Sequence, residues 1–599
     1  MSINQKIQTL RELMKKNGID VYYIPLGDDH LSDEYTADHF RCVSFISEFR
    51  GEASVIVTRD FAGLWTDGRY FTAAEMHLKG TVIELMRMRQ PGVPDPVSFL
   101  ISSTPEGGVL GFDGHVVLAA AYTALSKALA RKNASMIVDK DLVGEIWGKE
   151  RPSMPAGEIF VLPKKYTGES AAERIERVRE KMRQRGADVL VITALEDPCW
   201  LLNVRGNDMS TTPVAYAFAA VTQHTVTYYV DKKKLSDKAA KHLKDSKVTV
   251  KPYGAVAKDL AKLRDKTVWA DLSHLNSYFS SLIDPSNRIL NLASPILAMR
   301  AVKNSTEIRN TRNAHIKDGV AMVRFIRWVK ENVGKIPMTE ISAADKLYAL
   351  RAEGKGYIEP SFHTISAYQQ NAAMLHYSAT PESDTKVEPR GFLLVDSGGT
   401  YLDGTTDITR TISLGGLTAE EKKYFTLVLK GMLQLTRARF LQGTTGNNLD
   451  ILARGPIWDL DIDYQCGTGH GVGHVLAVHE GPHGIRWGMP SPARPSAPFE
   501  AGMIVSNEPG VYLPHELGIR TENELLVVKG QKNFYGQFLY FETLTYCPID
   551  LDAIDVQYLE DTDIRQLNAY HQSVYETLAP LLEEDDRAWL KEATRAVER

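Results

Sequence analysis

Cysteine is scarce: four residues in 599, Cys42, Cys199, Cys466 and Cys547, lie far apart and never form a CxxC pair. That excludes a disulfide framework and a thiolate zinc finger, and it makes a reducing compartment, the cytoplasm, the expected location. No run of 18 apolar residues occurs, so neither a membrane span nor a membrane partner is expected. Residues 1–20 follow an amphipathic helical pattern and lack the apolar segment of a signal peptide. A basic surplus is missing too, with 70 Lys and Arg against 75 Asp and Glu and a net charge of -5. Without a cationic surface, nucleic acid is not expected as a partner.

What is present is an ordinary globular composition, 43% hydrophobic and 24% charged. At this length roughly two to four domains are expected. The chain contains an internal repeat: Ile7, Leu10, Met14, Gly18, Asp20 and Val21 recur 168 residues later as Ile175, Val178, Met182, Gly186, Asp188 and Val189. Each copy has apolar residues at spacings of three and four, then a glycine stop, then a strand pattern (VYYIP, VLVIT). Both copies continue into an Arg-Gly pair, at Gly51 and Gly206, and then an apolar strand. The spacing therefore predicts two related α/β domains, with a boundary in the proline cluster between Pro152 and Pro163. A second seam is expected near residues 297–304, where Asn304 can cap a long helix with Glu307 in capping-box position.

Almost all the chemically suggestive residues fall between His376 and Glu522. The segment FLLVDSGGTYLDGTTDITRTI predicts two strands, Phe392 to Asp396 and Thr405 to Ile412, which fold Asp396 and Asp407 together across a hairpin. A second acidic pair repeats the construction: Glu508 and Glu522 flank the turn PHELG on adjacent strands, with Arg520 on the same face as Glu522 and able to orient a carboxylate. Each pair alone reads more simply as turn caps or cross-strand ion pairs. Four carboxylates from two hairpins change that balance, because acids brought this close repel unless a cation lies between them.

Between the hairpins runs YQCGTGHGVGHVLAVHEGPHG. Its glycines do not follow a P-loop pattern, and HEGPH cannot act as a helical HExxH zinc motif because Gly481-Pro482 breaks the helix that motif needs. What remains is a loop presenting His470, His474, His479 and His483, of which His470, flanked by glycines, is the best candidate ligand. One imidazole with four carboxylates is an oxygen-dominated set suited to Mn²⁺, Co²⁺ or Fe²⁺. It suffices for two ions about 3.5 Å apart clamping a shared hydroxide, and hydrolysis is the natural chemistry.

These residues resemble the pita-bread metallopeptidases, and within them the long three-domain form of aminopeptidase P (Xaa-Pro aminopeptidase). The ordered strings are AVKN at 301–304, AHIKD at 314–318, LHY at 375–377, VDSGG at 395–399 and DGTTDITRT at 403–411, then GTGHGVG, VHEGP, NEPG, LGIR and RTEN. WTDGRYF from Trp65 and NVRGNDMSTTPV around Gly206 extend the likeness over essentially the whole chain. The resemblance implies an α/β (α+β) fold with two creatinase-like N-terminal domains, residues 1–157 and 158–300. A pita-bread catalytic domain, residues 301–599, would follow, with a C-terminal extension over about 550–599. It implies two divalent metal ions, Mn²⁺ as the usual pair with Co²⁺ or Zn²⁺ as alternatives, held by Asp396, Asp407, His470, Glu508 and Glu522. His376, His479 and Glu508 would be catalytic, and His376, His470, His479 and Arg520 would contact substrate. Peptides with an Xaa-Pro N-terminus would be the substrates, and the homodimer the usual assembly.

One departure is visible: Cys466 stands where the family often has histidine four residues before the ligand. No cysteine-protease context surrounds it, so a nucleophilic role is not expected. A dipeptide-specific prolidase is disfavoured by the second repeat domain, and a methionyl-type aminopeptidase is a further rival. A non-catalytic binding module is disfavoured because all five candidate ligands are retained.

Overall fold

The computed structural model describes residues 1–32, 36–68, 70–488 and 496–599, so Arg69 of the Trp65 to Phe71 string lies outside the described residues. Two compact units form: one of Met1–Val161, Glu169–Met209 and Val214–Ile296, the other of Leu162–Gly168, Ser210–Pro213 and Leu297–Arg599.

The first unit contains both copies of the repeat. Helices Ile3–Lys16 and Ala171–Arg185 each begin with a serine whose hydroxyl accepts from the third helical N–H, while Gln5 or Glu173 reaches back in a capping box. Each helix ends beside a glycine at positive φ, Gly18 at 67° and Gly186 at 64°, a conformation that lets the chain reverse into its strand. Strands Val21–Ile24 and Val189–Ile192 then sit at equivalent places in two six-stranded sheets. Each central strand pairs antiparallel with one neighbour and parallel with the other, and both outer pairs on corresponding edges are parallel. The recurring residues are the buried ones: Ile7, Leu10, Met14, Ile175, Val178 and Met182 are each at most 3% exposed. Side chains of this size contribute about 1.5–3 kcal/mol each on full burial, which is why they define the repeat.

In the second unit, Asn304 caps the 28-residue helix Ser305–Asn332 and Glu307 returns the bond to its backbone. Met322, Phe325, Ile326 and Val329 form the buried face of this helix against Leu393, Val395 and Ile412. Helix Ala419–Thr436 presents Phe425, Val428, Leu429 and Met432 to Phe392, Val511 and Ile519. The strand Gly391–Ser397 is thus covered on both faces. Period-two alternation puts Asp396 on the face of Phe392 and Leu394, opposite the long helix. A six-stranded sheet carries Gly469–Gly471 next to Ile504–Asn507, and helices Asp561–Leu578 and Glu584–Ala593 close the chain. Among the described residues no helix is long and apolar enough to cross a membrane.

Strand limits differ from the expectation in one informative way. The second strand of the first hairpin starts at Ile408, and Gly404–Thr405 pairs with Gly399–Tyr401 in a separate sheet. Asp396 faces Thr409, so Asp407 stands just beyond the paired strand. Glu508 and Glu522 are likewise not within strands. Asn507 pairs with Asn523 and Gly510 with Arg520, which leaves the two glutamates at the break between the pairings. Side chains at such breaks escape the strict up-and-down alternation and can converge.

Candidate metal centre

Four elements deliver the five predicted ligands: the Gly391–Ser397 strand (Asp396), the residue just before Ile408–Gly415 (Asp407), the short strand Gly469–Gly471 (His470) and the broken hairpin with Glu508 and Glu522. Donor atoms of Asp407, His470 and Glu522 lie within 4.8 Å of one another, a spacing that could hold a metal ion. His470 Nε2 is 3.4 Å from Asp407 Oδ2 and 3.4 Å from Glu508 Oε1. Glycine on both sides of His470 is a steric requirement. A Cβ at Gly469 would meet the Ser506 carbonyl at 2.0 Å, and one at Gly471 the Glu480 carbonyl at 2.1 Å.

Burial first, then the neighbouring acids, raises the pKa of Glu522 well above its usual range; burial also lifts Asp407 to about 6. Burial opposes the charge of His470, yet the Asp407 and Glu508 carboxylates outweigh it and raise the imidazole to about 9. Asp396 Oδ1 and Glu522 Oε1 are buried with no hydrogen-bond partner. Orphaned carboxylate oxygens at the centre of an acidic cluster are costly as they stand. Divalent cations would satisfy them, so the donor set fits the metal chemistry expected of it.

Arg520, expected at the substrate, is 3% exposed and its guanidinium is engaged: Nη2 donates to Asp396 Oδ2, Nε to Thr409 Oγ1 (3.1 Å) and Nη1 to the Tyr512 hydroxyl (2.7 Å). Thr409 in turn donates to Glu522 Oε2 at 2.7 Å, so one guanidinium braces two candidate ligands. Ser506 donates to Glu508 Oε1 at 3.1 Å. The roles of Thr409, Ser506 and Tyr512 were missed by sequence reasoning. A signal existed for the first two, since each lies two residues from a ligand and period two sets them beside it.

His479 is exposed, and its ring packs edge-on against His470 with centroids 4.3 Å apart. His376 lies in an exposed turn, beside the buried Tyr377. His474, another histidine of the same loop, has both nitrogens occupied, by Thr311 Oγ1 (3.2 Å) and the Tyr166 carbonyl (3.1 Å). His483 gives Nε2 to the Ile504 carbonyl at 2.7 Å, and His479 to His483 forms no helix, as Gly481-Pro482 requires. Cys466 packs into the apolar cluster around Tyr512, and burial reinforced by the Glu508 charge pushes its thiol up to about 12. A protonated thiol is a poor nucleophile.

Comparison with known proteins fits this geometry. Residues 6–141 and 150–307 match creatinase/prolidase N-terminal domains, 309–529 match metallopeptidase family M24, and 537–597 match the C-terminal region of peptidase M24. Aminopeptidase P2 of Arabidopsis thaliana is 37% identical over 635 residues, covering 99% of this chain and 88% of that protein. The chain belongs to the aminopeptidase P family. Xaa-Pro aminopeptidase ApepP of Drosophila melanogaster, another aminopeptidase P relative, is 35% identical, and each protein is covered completely. The solved X-prolyl aminopeptidase of Caenorhabditis elegans, described as a cytosolic enzyme with a di-nuclear active site, superposes with a TM-score of 0.93 at 34% identity over the full length of both chains. The Xaa-Pro dipeptidase of Bacillus anthracis shares the fold at a TM-score of 0.50 and 22% identity, and it covers only 64% of this chain.

Proposed function

We propose that this protein releases the N-terminal residue from peptides whose second residue is proline. Two divalent ions would be held by Asp396, Asp407, His470, Glu508 and Glu522. The convergence of these five side chains from four separate elements supports the reading most directly. The full-length likeness to Xaa-Pro aminopeptidases, rather than to the shorter dipeptidases, supports the substrate class.

When bound, the ions supply Lewis-acid polarisation of the scissile carbonyl and lower the pKa of water. The chain's own residues do the rest. His376 and His479 donate hydrogen bonds to substrate oxygens, an oxyanion-type role that is worth roughly 2.7–4 kcal/mol per donor. Glu508 carries the proton that the departing nitrogen needs, because a bond to proline has no N–H to exploit. Arg520 holds Asp396 directly and Glu522 through Thr409, and places the ligands the substrate meets. Mn²⁺ is the proposed metal, a homodimer the proposed assembly and the cytoplasm the proposed location. The proposed division is 1–157, 158–300 and 301–599.

The test is to strip the metal, restore Mn²⁺, Co²⁺ or Zn²⁺ in turn, and compare Xaa-Pro-Xaa tripeptides, Xaa-Pro dipeptides and proline-free peptides. Release of the first residue from the tripeptides alone is the expected result. Cleavage of dipeptides alone would replace the reading with a prolidase, and no cleavage with any metal would leave a peptide-binding module.

A further inference from the structure

Arg410 follows Thr409 in the DITRT string, but alternation turns its side chain to the opposite face, away from the acidic cluster. It is 2% exposed, and every nitrogen of its guanidinium is engaged. Nη1 donates to the carbonyls of Thr409 (2.9 Å) and Glu522 (2.5 Å), the backbone of one candidate ligand and of the residue that bonds it. Nη2 donates to Asn523 Oδ1 (2.8 Å), the Cys547 carbonyl (3.0 Å) and the Tyr570 hydroxyl (3.0 Å), while Nε reaches the Pro548 carbonyl (3.1 Å).

Tyr570 belongs to helix Asp561–Leu578 in the C-terminal region. Its hydroxyl also accepts from Cys547 N–H (3.3 Å) and donates to the Cys547 carbonyl (2.8 Å). One residue on, His571 Nε2 accepts from Ile549 N–H at 3.0 Å. The helix therefore fixes the Cys547–Ile549 segment, and that segment with Tyr570 fixes Arg410. Arg410 in turn joins the Asp407 strand to the Glu522 peptide. A cavity of about 260 Å³, bordered by Arg410, Thr411, Ile412, Pro548 and Trp589, leaves one flank of this junction without close packing. Hydrogen bonds, more than packing, then hold the guanidinium in place.

We propose that Arg410 and Tyr570 are positioning residues through which the C-terminal helical region sets the spacing of Glu522 and Asp407, and thereby metal affinity and turnover. This rests on the reading of those acids as metal ligands. Tyr570→Phe removes one hydroxyl and little volume. Titration of the metal-stripped full-length protein with Mn²⁺ by calorimetry is expected to show affinity reduced about tenfold or more, the usual cost of losing a supporting partner. At saturating Mn²⁺, kcat on an Xaa-Pro-Xaa tripeptide should fall while KM stays within about twofold.

Val574→Ala, a core truncation one turn along the same helix, controls for general destabilisation: it should lower Tm and leave Mn²⁺ affinity unchanged. Arg410→Lys keeps the charge but loses the fork, and should reproduce the affinity loss if the phenylalanine variant fails to fold. Wild-type Mn²⁺ affinity in folded Tyr570→Phe or Arg410→Lys overturns the proposal, as does an equal loss in Val574→Ala. Mn²⁺ binding unchanged in Glu522→Gln would instead overturn the metal reading on which the proposal stands.

Discussion

Thr409, two residues after Asp407, passes the grip of Arg520 to Glu522; at this scale the site is a set of side chains each held by another. The two proposed catalytic histidines, His376 and His479, are both exposed. His376→Ala is expected to lower kcat about a hundredfold or more with metal content unchanged, as removal of an oxyanion donor does; steady-state kinetics beside metal analysis of the same sample checks it. Glu359 gives a pH prediction. Burial raises its carboxyl to about 7, against a single bond from the Thr211 N–H (3.1 Å), and Oε1 has no partner. An acid whose folded pKa lies above its unfolded value of 4.5 stabilises the fold at low pH and loses that contribution as pH rises through about 7. Glu359→Gln should therefore be more stable than the parent at pH 8 by about 1 kcal/mol after allowance for solvent screening, read as a higher Tm, with no gain at pH 4.5. The five candidate ligands were legible in the chain because acids and a glycine-flanked histidine stand out chemically. Arg410 and Tyr570 did not stand out, because common residue types acquire a role only from partners more than a hundred residues away.

At the scale of elements, ends and junctions carry the function. Asn304 caps the helix that backs the Asp396 strand, accepts from the N–H groups of Thr306 (2.9 Å) and Glu307 (3.1 Å), and donates to the Thr167 carbonyl (2.9 Å). Asn304→Ala should cost about 1 kcal/mol or more in chemical denaturation. That cap was readable because capping is local. The strand that bears Glu480, next to His479, is anchored by a buried ion triad in which Arg300 Nη1 and Lys303 Nζ reach the Glu480 carboxylate at 2.8 and 2.5 Å. Lys303→Ala leaves Glu480 half compensated and should destabilise by about 3 kcal/mol, as loss of one buried partner does. Urea unfolding of both variants against the parent reads each cost. The strand limits at Thr405 and Glu508 were misjudged because hairpin signals locate turns, whereas pairing, which stops short of the ligands, depends on the neighbouring strand.

For the whole molecule, the acidic cluster ties metal to stability. Four carboxylates, two of them with an unsatisfied buried oxygen, crowd together in the stripped protein, so restoring Mn²⁺ at roughly a hundred times its Kd should stabilise the fold by about 2.7 kcal/mol. Scanning calorimetry should show the shift in the transition of the second unit and none in that of the first, since every candidate ligand belongs to Leu297–Arg599. The repeat at 168 residues was visible without coordinates because burial at helical spacing constrains residue type wherever it occurs, and Ile7 and Ile175 are both buried. Sequence alone therefore determined the doubled α/β architecture and the ligand candidates, which follow from residue type and spacing, and through the resemblance of its ordered motifs it pointed to the family. Tertiary structure decided which oxygens meet His470, that Arg520 braces ligands, and that Arg410 joins the C-terminal helix to Glu522. Those facts depend on long-range strand register and side-chain direction, which no local pattern encodes.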